Sequence, residues 1–291
     1  MLDLLRDTLR SFSRHGGTLL GGALAFFALL SAVPTFVIAL DIVGRVTDEG
    51  AARAELWHGL ASWMGRDGAR TAVSLLDHVH MRASGPLERV LGSLVLVYGS
   101  TRLFSQTQRA LNHMWDVTAR PVADLRGRLV RVLEKRVLAF AMVLVCAVFL
   151  LASTLMRALL VNASSMVGAQ LPARWHVLDH VLSFAVSTLL FTAVFKWLPD
   201  VKIAWRDAGA GALFTSVLFA VGKLLIARYL AHKSSATVFG VAGSIVMLLL
   251  WVHYTAQIFF LGAAFTAVRA AHKGRPLAPT PDALRISVEG M

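Results

Sequence analysis

The stretch Val238-Phe239-Gly240-Val241-Ala242-Gly243-Ser244-Ile245-Val246-Met247-Leu248-Leu249-Leu250-Trp251-Val252-His253-Tyr254-Thr255-Ala256-Gln257-Ile258-Phe259-Phe260-Leu261-Gly262-Ala263-Ala264-Phe265-Thr266-Ala267-Val268 contains no Asp, Glu, Lys or Arg. A hydrocarbon core of ~30 Å takes roughly 20 helical residues to cross, and this run exceeds that. Five further apolar blocks precede it, at about 18–43, 87–106, 137–156, 177–195 and 208–230, the second being the least apolar. Long blocks rather than alternation exclude a half-buried sheet and specify helices. Charged residues are 16% of the chain and mean hydropathy is +0.64, against about 25% charged residues in soluble domains. The expected fold is therefore all-α: a polytopic membrane bundle of about six transmembrane helices.

Outside the blocks the chain is basic, with a net charge of +12. Residues 1–16 form an amphipathic N-terminal helix. Leu2, Leu5, Leu9 and Phe12 follow three-to-four spacing, and Arg6, Arg10 and Arg14 recur on another face. That pattern suits a helix lying on an anionic membrane surface, or a pre-membrane cap with topogenic arginines. The membrane domain is expected over 17–270, with an external loop at 44–86 containing helical stretches at about 51–64 and 69–81. Residues 271–291, with Pro276, Pro279 and Pro281, form a tail expected to be disordered. Segment 107–136 is basic, and Leu125, Leu129, Val132 and Leu133 oppose Arg126, Arg128, Arg131 and Lys135 in an amphipathic helix on the inner leaflet.

Lys and Arg set the orientation. The N-terminus, 107–136, 196–207 and the chain from Arg269 onward hold 17 of the 29, and the alternate loops hold eight. Basic loops stay in the cytoplasm, which places both termini inside a bacterial inner membrane and 44–86 outside. No cleavable signal peptide is visible. The single Cys146 excludes an intramolecular disulfide and fits a packed core thiol. Pro34 removes one backbone hydrogen bond in the first span and predicts a kink near Phe27–Leu30. Trp115 and Trp205 fall where an amphipathic ring anchors the inner interface. Gly17 with Gly21, Gly209 with Gly211, and Gly240 with Gly243 allow close helix approach, and Gly209–Gly211 also suits a hinge.

Three stretches resemble the YihY / virulence factor BrkB family of bacterial inner-membrane proteins, a family formerly labelled ribonuclease BN. They are Leu24-Ala25-Phe26-Phe27-Ala28-Leu29-Leu30-Ser31 with Pro34; Leu103-Phe104 through Ala110-Leu111-Asn112-His113-Met114-Trp115; and Leu198-Pro199, Trp205-Arg206-Asp207-Ala208, Gly211, Tyr229, Phe239-Gly240, Trp251 and Gly262-Ala263. The sequence departs at His253, where relatives carry tyrosine, and at Ala264, where they carry glutamate. The resemblance implies six spans, a link to envelope integrity, and export of lipid-like envelope molecules.

Little in the residues supports catalysis. Asp77-His78-Val79-His80 is the tightest ligand cluster, and it reads as a chance surface grouping rather than a metal site. No G-x-x-x-x-G-K-[ST] or G-x-S-x-G motif is present, and no internal repeat suggests an inverted-repeat transporter. No enzyme activity, metal or cofactor is expected, and the positive charge reads as topogenic rather than as nucleic-acid binding. Membrane lipids and an anionic amphiphilic substrate are the expected partners, and the sequence leaves the oligomeric state open.

Ionisable groups inside spans mark candidate sites, because each costs several kcal/mol at mid-bilayer. These are Arg102 in the second span, Lys223 and Arg228 in the fifth, and His253 with Gln257 in the sixth. At ~1.5 Å per residue Lys223 falls ~7 Å outward of the midplane. Asp41, near the outer end of the first span, is the candidate counter-ion. Lys223 and Arg102 suit the anionic group of a ligand, with His253 and Gln257 lining its path and the fifth and sixth spans as the moving pair. Snorkelling to the headgroups is the competing account of the cations, favoured for Arg228. A non-transporting scaffold for envelope biogenesis, acting through the 44–86 loop, is the alternative function.

Overall fold

A computed structural model of the chain describes residues 2–46, 86–120, 173–232, 236–281 and 283–286, with positions 54, 57 and 73. Among the described residues the chain is mostly helical: α1 Leu2–Arg14, α2 Gly17–Val46, α3 Pro86–Met114, α4 Ala173–Trp197, α5 Trp205–His232 and α6 Ala236–His272. Four short strands accompany them: β1 Val117–Ala119, β2 Val201–Lys202, β3 Ala278–Pro279 and β4 Ala283–Arg285. Two helical stretches, Trp205–Leu225 and Leu248–His272, are long and apolar enough to cross a membrane, and Gly17–Ser31 and Phe184–Trp197 are shorter apolar runs. The predicted third span, Cys146, the basic segment 121–136 and, apart from positions 54, 57 and 73, both stretches of the external loop lie outside the described residues.

Helix ends follow backbone chemistry. Gly16 adopts φ +62° between α1 and α2, a conformation that costs glycine nothing. Helix α6 closes at Gly274, φ +68°, where Gly274 N–H reaches Ala271 O and Arg275 N–H reaches Ala270 O, and Pro276 prevents continuation. Helix α2 runs on through Pro34 to Val46. Helix α3 extends beyond the predicted 106 to Met114, because Ala110, Leu111, Asn112 and Met114 are buried and hold the last two turns. It stops at Asp116, whose φ of +53° is tolerated by a short polar side chain.

The chain forms two compact units. The first comprises 1–8, 111–217 and 262–291, and the second 9–110 and 218–261. In the first unit α5 and α6 meet through a reciprocal glycine–threonine arrangement. A Cβ on Gly211 would collide with Thr266 Oγ1, and one on Gly262 with Thr215 Oγ1. Each hydroxyl bonds back along its own helix, Thr215 to Gly211 O and Thr266 to Gly262 O, both at 2.8 Å. The threonines thus fill the glycine gaps of the opposite helix without leaving a buried donor unpaired. Phe214 stacks on Phe265 at 4.2 Å beside this crossing. Gly209 has nothing within 4 Å, so close approach belongs to Gly211.

Polar side chains lock one end of this unit. Asn112 Nδ2 donates to Asp200 Oδ2 at 2.7 Å, and Asp200 N–H donates to Asn112 Oδ1 at 2.8 Å. Asp207, 1% exposed at the start of α5, accepts from Arg269 at 2.7 Å and Arg275 at 3.1 Å. A carboxylate in the first helical turn also complements the helix dipole. Trp115 is 4% exposed, donates from Nε1 to Ala263 O at 2.8 Å and packs edge-on against Phe195. It is a core residue rather than the interface anchor expected from its position. Trp205 is exposed and meets exposed Trp197 edge-to-face at 5.4 Å, with Lys196 over its ring.

Residues 271–281 and 283–286 depart from the expected disorder of the tail. Strand β4 pairs antiparallel with β1, Val117 opposite Arg285, and β3 with β2, Val201 opposite Pro279. Thr280 N–H donates to Asp200 O at 3.0 Å, and Ala283 is 3% exposed. Prolines at 276, 279 and 281 forbid helix but suit extended edge strands, and tertiary partners supply the order that local propensity lacks.

Gly211→Ala is expected to destabilise the protein by about 1–3 kcal/mol through overpacking against Thr266. Thr266→Ala in the same chain should recover part of that loss, measured as a double-mutant cycle of unfolding in mild detergent. Asp207→Ala should cost about 2–3 kcal/mol by stranding two guanidinium partners, whereas Arg275→Ala should cost about 1 kcal/mol or less.

Candidate functional site

The sequence-predicted ligand residues all fall in the second unit, on three helices. His253 and Gln257 stand one turn apart on α6, and Gln257 Nε2 donates to His253 Nε2 at 2.6 Å, with the imidazole Nε2 as the acceptor. This pair faces the glycines that open α2. A Cβ on Gly21 would lie 3.2 Å from Gln257 Cγ and 3.7 Å from His253 Cε1, and one on Gly22 would lie 3.8 Å from His253 Cε1. A methyl on Gly21 would press on the flexible Gln257 stem, whereas one on Gly22 would make ordinary contact with the imidazole. Bonding to each other reduces the penalty of carrying both groups in an apolar setting.

Lys223 lies on α5 next to Gly222 and is half-buried. Tyr254 of α6 packs onto Gly222 so closely that a Cβ there would sit 2.6 Å from Tyr254 Cε1 and 2.8 Å from its hydroxyl. Phe219 and Trp251 add an edge-on contact at 6.3 Å between the same two helices. Arg102 of α3 is exposed, with its guanidinium 5.2 Å from the centroid of Tyr98, one turn back on the same helix. That cation–π contact partly shields the charge and stiffens the side chain. Helix α3 approaches α2 at Gly99, where a Cβ would lie 3.2 Å from Ser31 Cα. The structure therefore brings His253 and Gln257 together and puts Lys223 beside the Gly222–Tyr254 contact. Arg102 rests on its own helix. The side chains of Asp41 and Arg228 lie outside the described residues.

Glycine is what allows each approach, at 21, 99 and 222. Sequence reading paired glycines by spacing within a helix and missed Gly99 and Gly222, whose partners are distant in sequence. It also missed Tyr254, which adjoins His253. Asn112, Asp200 and Asp207 were overlooked as packing determinants, although Asn112 and Asp207 stand inside the resembling stretches. A charged residue opening an apolar helix, as Asp207 does, was the available signal.

Among the described residues no group of three or more His, Cys, Asp or Glu side chains could hold an ion. Asp77-His78-Val79-His80 lies outside them.

The sequence pattern of the virulence factor BrkB family matches residues 8–286. This chain belongs to that family. A UPF0761 membrane protein of Verminephrobacter eiseniae is 27% identical over 86% of this chain and 58% of its own length. Another, of Ralstonia nicotianae, is 27% identical over 91% of this chain and 58% of its own length. The chain thus spans about three fifths of these relatives. The ribonuclease-like protein YfkH of Bacillus subtilis is 23% identical over 94% of this chain and 98% of its own length. No solved structure matches. The family and its relatives make this a membrane protein.

The two tight glycines should respond differently to a methyl group. Gly21→Ala meets the flexible Gln257 stem and should cost less than about 1 kcal/mol, whereas Gly222→Ala meets a rigid phenol ring and should cost about 1–3 kcal/mol. Thermal unfolding of the two variants in the same detergent checks the order.

Proposed function

We propose that this BrkB-family chain is a six-span inner-membrane protein, with both termini in the cytoplasm, that binds and moves an anionic, amphiphilic envelope molecule. The observation that carries the reading is the His253–Gln257 pair set against Gly21 and Gly22. A bonded polar pair packed against the glycines of α2 places hydrogen-bonding groups in an otherwise apolar helix pair, the kind of position that marks a site for a polar headgroup. Lys223 on α5 and Arg102 on α3, in the same unit, would supply positive charge for a phosphate or carboxylate. Arg102 is exposed and Lys223 half-buried. Exposed Leu213, Val217, Val221, Leu224 and Leu225 along α5, with Val246 and Leu250 on α6, support a lipid-facing surface. The word ribonuclease in the name of the Bacillus subtilis relative finds no counterpart among these residues.

The test is mass spectrometry of lipids and small molecules that co-purify with the protein in mild detergent. An anionic amphiphile enriched with the wild type should fall roughly tenfold in Lys223→Ala, from loss of one charge-assisted contact, and less in Arg102→Ala. An unchanged profile in folded variants would overturn the reading and direct attention to a scaffold acting through the 44–86 loop.

A further inference from the structure

Helix α1 presents its basic residues and two of its leucines on the same exposed arc. At the helical repeat Leu9, Leu2, Ser13, Arg6, Arg10, Asp3 and Arg14 follow one another round roughly 140° of its surface. All seven are exposed, Leu2 at 84% and Leu9 at 57%. The opposite face, which packs, carries Thr8, Ser11 and His15, all buried. Its polar groups are satisfied within the helix: Thr8 Oγ1 donates to Leu4 O at 2.7 Å, and His15 Nδ1 lies 2.7 Å from Ser11 O. Leu4, Leu5 and Phe12 lie off that arc and are half-buried, which leaves Leu2 and Leu9 as the large apolar side chains exposed beside the arginines. Asp7 is engaged by His272 Nε2 at 3.0 Å, which leaves Asp3 as the acid on the exposed arc.

Two leucines beside three guanidiniums suit a medium that is apolar below and anionic above. The headgroup layer of an acidic leaflet is such a medium. Only His15 and Gly16 separate α1 from α2, whose first half is an apolar helix, so α1 ends where the chain enters that run. We propose that α1 docks on anionic phospholipid, with Leu2 and Leu9 sunk among the acyl chains and Arg6, Arg10 and Arg14 against lipid phosphates. Each arginine contributes about fivefold to the docked population, and the three together on the order of a hundredfold. The inference requires that the chain sits in a membrane and is independent of the ligand assigned to Lys223.

The experiment uses the full chain, carrying Cys146→Ala and Leu9→Cys labelled with a polarity-sensitive fluorophore, in vesicles of phosphatidylcholine alone or mixed equally with phosphatidylglycerol. Emission should shift to the blue in the mixed vesicles and return toward the aqueous value in high salt. Arg6→Gln, Arg10→Gln and Arg14→Gln together should abolish the shift, and the corresponding lysine substitutions should retain it, which separates lost docking from lost folding. Water-like emission in both vesicles overturns the proposal. So does equal blue emission in both that the glutamine variant retains, which reports a protein contact. A shift that depends on protein density in the vesicle overturns it in favour of a second copy.

Discussion

Thr215 and Thr266 stand where they do because Gly262 and Gly211 have no side chains. Each threonine fills the space left by the glycine of the other helix, and each hydroxyl is satisfied by its own helix. Burying a polar group without a partner is costly, and in hydrocarbon no water relieves it. The crossing of α5 and α6 in the first unit answers that constraint by geometry alone. Phe214 and Phe265 then lie close enough to stack. Placed there, α6 brings Ala263 O within reach of Trp115 and Arg269 within reach of Asp207.

The polar end of the same unit uses charge where the crossing uses shape. Asp207 is almost fully buried, and Arg269 and Arg275 approach the same oxygen. Asp200 takes Asn112 on its carboxylate and Thr280 on its carbonyl. Residues from α3, the α4–α5 connection and the tail are thereby held by a few directional bonds. Such bonds fix orientation better than apolar contact does, because each has an angle as well as a distance. Many residues of the stretches that resemble the BrkB family, among them Asn112, Trp115, Asp207, Gly211, Gly262 and Ala263, belong to this unit. Their work is architectural.

The second unit follows the same rule of small residues beneath large ones, with a different outcome. At Gly222 the large neighbour is a tyrosine, and at Gly21 and Gly22 it is a hydrogen-bonded histidine and glutamine. His253 is half of that pair, and its imidazole Nε2 meets Gln257. Ala264 is fully buried.

Hydrophobic run length determined that the described chain is helical, and it placed α2, α4, α5 and α6 within a few residues of their ends. The run from Val238 to Val268 carries that information locally, because membrane crossing and helix formation depend on consecutive residues. The candidates Arg102, Lys223, His253 and Gln257 were legible for the same reason: ionisable and polar groups stand out in apolar sequence. Tertiary structure decided the rest. It carried α3 on to Met114, buried Trp115, paired two short segments of the proline-rich tail as strands and left Leu2 and Leu9 of α1 exposed. It also joined His253 to Gln257 against Gly21 and Gly22 while leaving Arg102 on Tyr98. Each of these depends on a partner far along the chain, such as Ala263 for Trp115 or Asp200 for Thr280. Local propensity and periodicity contain no term for a distant partner.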